Sequence, residues 1–398
     1  MSTASLRLKK DQERRLLTGH CWVYSNEVDT EATPLGSFEP GQPIEILSHR
    51  GRWLGLGYVN PHSLICARLV SRSKKRPLTP ALWVERVRRA LELRDQLYPH
   101  PFYRLIFGES DGLPGLIVDR YGELLAVQIT TAGMERVRAD ILTALELVVR
   151  PQTIVLRNDT RVRELEGLDR IVETVLGDPP ADLELQEAGT RFLVSVLSGQ
   201  KTGWFYDQAE NRSRLPRFGT PARVLDLCSY TGAWGVQTAV AGAEEVVCVD
   251  SSPAALERAG ENADRNGVVA RVSGLLGDAF DVLRALRNQR ERFDLVILDP
   301  PAFIKRRKDA KEGTRAYQRL NRLGLELVDP GGLFVTSSCS FHMGRDSFLR
   351  TLQQAARRTR RSLQLLEAGG QGPDHPVHPA IPETAYLKTF FFRVLPEL

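Results

Sequence analysis

The hydrophobic pattern changes twice along the chain. From the start to about residue 70, short runs such as Gln42–Leu47 and Trp53–Val59 alternate apolar and polar positions between Gly, Pro, Asn and Ser. That is the period of half-buried strands, and it predicts a small, mostly β module with a short opening helix ending near Gly19. Pro80 then opens a helix through Leu97, with Leu82, Val87, Ala90 and Leu91 as its apolar positions. A second module runs to about Asp182, with strands over 116–119, 123–130 and 153–157 and a helix over 135–149. From about Leu183 onward, buried-looking strands over 223–226, 245–250, 293–299 and 332–337 alternate with helical segments. This is the mark of a parallel sheet covered by helices on both faces, so the expected class is α/β, preceded by a β module and an α+β module. The first three of these strands end in an acidic residue, and ligands of such sheets bind beyond the carboxyl ends of the strands.

A chain of 398 residues exceeds the usual size of one hydrophobic core, consistent with domains over 1–72, 73–182 and 183–398. No apolar stretch is long enough for a membrane span, and the first residues lack the apolar run of a secretory signal, which points to the cytoplasm. The five cysteines (Cys21, Cys66, Cys228, Cys248 and Cys339) are widely spaced without a CxxC pair. Neither a disulfide framework nor a metal site is expected. The net charge of +5 is uneven: residues 1–100 hold 16 Lys/Arg against 10 Asp/Glu, and the remainder 38 against 39. A basic N-terminal module suits a polyanionic partner, although a solvated basic linker gives the same count.

The segment from Val224 to Gly232 reads as a strand, a turn and the start of a helix. It lacks the GxGxxG glycines that approach a pyrophosphate, and Asp226 stands at the strand end, where it would repel a dinucleotide's phosphates. A carboxylate there suits a cofactor cationic at sulfonium and amine, with Cys228, Ser229 and Gly232 forming the turn. Asp250, with Ser251 beside it, closes the next strand and can accept from both ribose hydroxyls. Asp278 can take an exocyclic adenine amine while the Ala279 N–H serves a ring nitrogen. Any one of these aspartates alone could be only a helix N-cap. Together, and followed by Asp299-Pro300-Pro301-Ala302-Phe303, they resemble a class I S-adenosylmethionine methyltransferase, whose D/N-P-P-aromatic loop lies beside a planar base. Pro300, Pro301 and Phe303 then form the surface for a flipped base.

After the fourth strand comes Thr336-Ser337-Ser338-Cys339-Ser340. Carbon 5 of a pyrimidine is a poor nucleophile, and a thiolate adding to C6 would activate it. Cys339 has the position this requires; the bland alternative is a small buried residue. Cys248, inside an apolar strand, fits the bland role better.

Three further stretches narrow the likeness: Gly19-His20-Cys21-Trp22-Val23-Tyr24-Ser25-Asn26, Gly108-Glu109-Ser110-Asp111-Gly112-Leu113-Pro114-Gly115-Leu116, and Gly199-Gln200-Lys201-Thr202-Gly203-Trp204-Phe205-Tyr206-Asp207-Gln208-Ala209-Glu210-Asn211-Arg212. With them nearly the whole chain resembles the large-subunit ribosomal RNA cytosine-C5 methyltransferases, the RlmI-like group. The resemblance implies a small β-barrel PUA domain, a central α+β domain and a C-terminal Rossmann-like methyltransferase domain. It implies S-adenosylmethionine as cofactor, with contacts from Phe205, Tyr206, Asp207 and Arg212, and ribosomal RNA or its precursor as partner. Lys9, Lys10 and Arg14 become candidate RNA contacts on the PUA-like module. The two-cysteine cytosine-C5 enzymes carry D-A-P-C where this chain has Asp299-Pro300-Pro301-Ala302. Removal of the C5 proton would therefore fall to Asp299, Lys305, a hydroxyl such as Ser338, or water. Two other readings stay open: an exocyclic-amine RNA methyltransferase with Cys339 a bystander, and a non-catalytic RNA-binding assembly factor. The sequence also leaves open whether the chain forms a homodimer.

Overall fold

The computed structural model describes residues 4–397, so the outermost residues of the 1–72 and 183–398 spans lie outside the described residues. The chain forms two compact units: Met1–Leu183 with Val194–Tyr206 and Pro373–Thr384, and Glu184–Leu193 with Asp207–Gly372 and Ala385–Leu398.

The first unit holds two five-stranded sheets, each with its own core. In the N-terminal sheet, Ala4–Arg7 runs parallel to Gln42–Leu47, which pairs antiparallel with Trp53–Val59 and, beyond it, Ala67–Ser71. Alternate positions such as Ile44 and Ile46 turn into the core, as the period-2 pattern requires. The predicted opening helix is a single turn, Arg14–Leu17. The Pro80–Leu97 helix has the expected bounds, with Leu82, Val87 and Ala90 buried.

The helix expected over 135–149 is broken into Ala132–Arg136, capped by the Thr131 hydroxyl, and Arg138–Val149. The glycine- and aspartate-rich stretch after Phe107 is structural. Gly112 adopts φ +73°, and Asp111 receives a bidentate pair from buried Arg94 at 2.7 and 2.8 Å and the Phe107 N–H at 2.7 Å. Arg104 and Asp119 form a second buried pair at 2.7–2.8 Å, and the Thr202 hydroxyl also donates to Asp119. Buried charges persist only when paired in this way.

The second unit is built on a seven-stranded sheet: β1 (Arg223–Leu227), β2 (Glu245–Asp250), β3 (Val272–Leu276), β4 (Phe293–Leu298), β5 (Val328–Ser338), β6 (Arg361–Gly369) and β7 (Lys388–Pro396). Its strand order is 3-2-1-4-5-7-6. The first five strands are parallel, and β7 is inserted antiparallel between β5 and β6. The helices are α1 (Ala209–Arg214), α2 (Ala233–Val240), α3 (Pro253–Arg265), α4 (Ala279–Asn288), α5 (Ala310–Leu327) and α6 (Arg345–Arg358). Leu225, Leu227, Val296 and Leu298 of the central strands lie in a core completed by Tyr317, Leu320, Phe348 and Leu352 of α5 and α6. The order reverses between β1 and β4, which places the crevice for a ligand at the carboxyl ends of these strands. No helix among the described residues is long and apolar enough to cross a membrane.

Candidate active site

The turn after β1 is backbone-strained: Cys228 and Tyr230 take φ +59° and +49°, and Gly232 takes +79°. Positive φ is uncommon for non-glycine residues and gathers at functional turns. At Gly232 a β-carbon would stand 2.9 Å from the Ala259 β-carbon, so both conformation and space call for glycine. Asp226 lies fully buried beneath the turn. One carboxylate oxygen accepts the Gly235 N–H at 2.9 Å, while Oδ1 has no hydrogen-bond partner. Burial is the first cause, and the charges of Asp299 and Asp250 add to it, pushing its pKa up to about 7.

Asp250 orders the same turn. It accepts the Tyr230 N–H at 2.9 Å and, on its other oxygen, the Ser252 N–H at 2.9 Å. Asp278 caps α4 through Oδ1, with the Phe280 N–H at 2.9 Å. The capping role weighed for these aspartates is therefore present at Asp278, together with a second oxygen left for a ligand. Burial first, and then the charges of Asp250, Asp299, Asp226 and Asp278, hold the Cys228 thiol well above its ordinary pKa. Four carboxylates thus act on one turn. A cation fits there, and the buried unpartnered oxygen of Asp226 is the group that would gain most from one.

Asp299, just past β4, sits between the Gln208 amide at 2.8 Å and the Trp234 indole at 3.2 Å. Gln208 also reaches the Ser337 hydroxyl at 3.2 Å and accepts from the Asn211 amide at 2.6 Å. Burial raises the Asp299 pKa. Cys339 follows β5, and its sulfur lies 4.0 Å from the Pro300 carbonyl oxygen, so the thiol and the proline loop adjoin. The Ser340 hydroxyl pins that loop by accepting the Ile304 N–H at 3.1 Å, and it shares a hydrogen bond with Tyr317 at 2.9 Å. Phe303 packs on Tyr317 with ring centroids 4.7 Å apart. Opposite Ser338 on β7, Lys388 donates to the Ser340 and Tyr386 carbonyls at 2.6 and 2.7 Å. Burial lowers the Lys388 pKa to about 8, and the Cys339 charge opposes that shift.

The remaining candidates are distributed as follows. Arg212 is buried in a bidentate pair with Glu187 at 2.5 and 2.7 Å, and Asp207 accepts the Tyr386 hydroxyl at 2.6 Å. Phe205 and Tyr206 fall in the first unit, where Lys201 lies 4.1 Å over the Phe205 ring and Tyr206 donates to the Arg120 carbonyl at 2.9 Å. Lys305, Ser251 and Lys10 are exposed. Lys9 donates to the Asn26 carbonyl at 3.0 Å, and Arg14 pairs with Asp11 at 3.0 Å. Gln208, Asn211 and Lys388 were not anticipated. The two amides stand three apart on either side of a helix start, which is a visible spacing, whereas Lys388 becomes relevant only through the β5–β7 pairing.

Comparison with known proteins agrees with this geometry. A PUA-like domain family matches residues 6–72, and an S-adenosylmethionine-dependent methyltransferase family matches residues 136–393. The chain is 39% identical over 398 residues to the ribosomal RNA large subunit methyltransferase I of Erwinia tasmaniensis, covering 99% of this chain and 100% of that protein. It is 38% identical to the protein of the same name from Salmonella arizonae, covering 98% and 97%. The crystal structure of the methyltransferase SMU.776 complexed with SAH superposes with a TM-score of 0.85 at 21% identity, covering 98% of this chain and 100% of that one, a likeness of fold. The chain belongs to the S-adenosylmethionine-dependent methyltransferases with an N-terminal PUA-like domain, in the group of the ribosomal RNA large subunit methyltransferase I proteins.

Proposed function

We propose that the protein methylates carbon 5 of a cytosine in large-subunit ribosomal RNA through a covalent adduct with Cys339. The observation that carries this reading is the Cys339 sulfur 4.0 Å from the Pro300 carbonyl, at the end of β5 beside the D-P-P-A-F loop. The bound cofactor supplies an electrophilic methyl group on a sulfonium. Asp226, Asp250 and Asp278 would hold its cationic, ribose and adenine parts, with Cys228, Ser229, Gly232, Ser251 and Ala279 lining the turns. Asp207 and Arg212, in the same unit as that pocket, serve the cofactor as the resemblance implies. Pro300, Pro301 and Phe303 support the base. The Cys339 thiolate would add to C6, forming the S–C6 bond and pushing the electron pair of the C5–C6 double bond toward C5, which would take the methyl group and leave the sulfonium's bonding pair on a neutral thioether. Loss of the C5 proton to Asp299, Lys305 or water returns that electron pair to the ring, and the S–C6 bond breaks to release the thiolate.

The module over 1–72 supplies RNA contacts through Lys9, Lys10 and Arg14, the span 73–182 forms a central domain, and 183–398 carries the chemistry. RNA containing 5-fluorocytosine tests the reading, because fluorine at C5 cannot leave as a proton. Wild-type protein should form a denaturation-resistant adduct, Cys228→Ala and Cys248→Ala should retain it, and Cys339→Ala should lose it while still binding cofactor. Methylation by Cys339→Ala at the wild-type rate would transfer the proposal to an exocyclic amine.

A further inference from the structure

The near-neutral count of residues 101–398 conceals a second concentration of positive charge. Residues 305–322 hold eight Lys/Arg (Lys305, Arg306, Arg307, Lys308, Lys311, Arg315, Arg319 and Arg322) against two Asp/Glu, a net +6 in 18 residues. The first four follow directly on the Asp299–Phe303 loop and are exposed. The last four lie at steps of four, four and three on α5, which puts them on one face over roughly 16 Å of helix. Arg315, Arg319 and Arg322 then line, with Gln318 and with Arg358 from the end of α6, a cavity of about 380 Å³.

Among the described residues these four arginines make no ion pair with a carboxylate. Arg319 is propped by the Phe280 ring at 5.0 Å, and Gln318 is fixed by the Gln354 amide at 2.9 Å. An ordinary solvated helix face alternates signs, because like charges at i,i+4 destabilise a helix. Here Lys311–Arg315 and Arg315–Arg319 are such pairs.

We infer that this arginine-lined cavity and the basic stripe leading to it bind the phosphodiester backbone of the RNA substrate, as a track running from the proline loop along α5. The inference rests on the proposed RNA substrate. Guanidinium forks match phosphate oxygens bidentately, and a row of them matches a chain of phosphates better than a single small anion. No apolar side chain lines the cavity, so it lacks the buried anchor of a protein interface. The track would orient the RNA independently of the N-terminal module, supplying register while the proline loop receives the base.

The test uses full-length protein and protein-free large-subunit ribosomal RNA, with affinity measured across a salt series. R315Q/R319Q/R322Q should lower affinity at least about tenfold near 100 mM salt. It should also make the log–log salt dependence shallower by about 2–3, the loss of three phosphate contacts. R315K/R319K/R322K should restore most of the slope, and cofactor affinity should be unchanged in both. A glutamine variant with wild-type affinity and slope overturns the inference and leaves the arginines to solvation or a protein partner. Absence of RNA binding by the wild-type protein would overturn the proposed substrate itself, and with it the track. A loss of methylation in Cys339→Ala, or its persistence, leaves the track untouched.

Discussion

Cofactor binding depends on pH if, as proposed, the cationic part of the cofactor faces Asp226. Its folded pKa is raised to about 7 by burial first, with the charges of Asp299 and Asp250 adding to the shift and Arg212 and the Gly235 N–H opposing it. The unbound protein therefore holds a proton on this carboxyl between about pH 4 and pH 7. A cofactor carrying sulfonium and ammonium charges favours the ionised form, so binding expels that proton, and affinity rises with pH through this window and levels off above it. At pH 5.5 about 3% of the carboxyl is ionised, and at pH 7.0 about half. Affinity should thus increase roughly 16-fold, about 1.6 kcal/mol, while the cofactor amine stays protonated. For folding the sign is opposite. A group whose pKa is raised on folding contributes stability at low pH and loses it as pH rises from about 4 through 7, so Asp226→Asn should flatten the apo protein's stability across that window. Titration calorimetry at pH 5.5 and 7.0, in two buffers of different ionisation enthalpy, counts the expelled proton. Equal affinities with no proton release, or a pH dependence that survives Asp226→Asn, would refute the assignment.

If Asp250 holds the ribose, Asp250→Ala should weaken cofactor binding by about 1.5–3 kcal/mol in calorimetry, the range for hydrogen bonds to a charged group; unchanged affinity would remove it from the pocket. Gly235→Ala sets about 1 kcal/mol of helix propensity against overpacking, because the new β-carbon would stand 2.6 Å from the Cys248 sulfur and 3.0 Å from Val246. Overpacking costs about 1–3 kcal/mol, so a fall in melting temperature is expected, and a rise would show that the α2–β2 contact yields freely. Lys388→Met should slow adduct formation with 5-fluorocytosine RNA without changing cofactor affinity, because it removes the cation whose charge interacts with that of Cys339. An unaltered adduct rate would reduce Lys388 to a structural donor.

What the sequence made legible follows from where each element lies. Glu245–Asp250 is a buried parallel strand flanked on both sides, and its unbroken apolar run marks its bounds. Val272–Leu276 is the sheet's edge, largely exposed and interrupted by Gly274, so neither period nor burial marks it. Lys388–Pro396 is apolar enough to read as a strand, but nothing in chain order says that it is inserted antiparallel beside β5. Lys388 was missed for that reason. Asp278 shows the converse limit, because one residue type serves equally as a helix cap and as a ligand acceptor. Arg212 belongs to the most specific motif in the chain, yet its nearest partner is Glu187, from a hairpin that local pattern does not connect to it.

The two halves of the proposed site have opposite electrostatic characters, and the chemistry requires that separation. Around the β1 turn, burial and four carboxylates keep the Cys228 thiol protonated, and burial with Asp226 does the same to Cys248. A thiolate there would be a strong nucleophile beside a sulfonium methyl and would take the methyl group itself. Cys339 stands on a different strand, with a buried lysine whose proton affinity its charge increases. In the proposed site, carboxylates face the cationic cofactor and the nearby thiols stay protonated, while the proposed nucleophile stands beyond the end of β5 with a buried lysine whose charge interacts with its own. Exchanging these surroundings, by placing a cysteine in the carboxylate pocket or an acid at Lys388, would disable the chemistry without removing any catalytic atom.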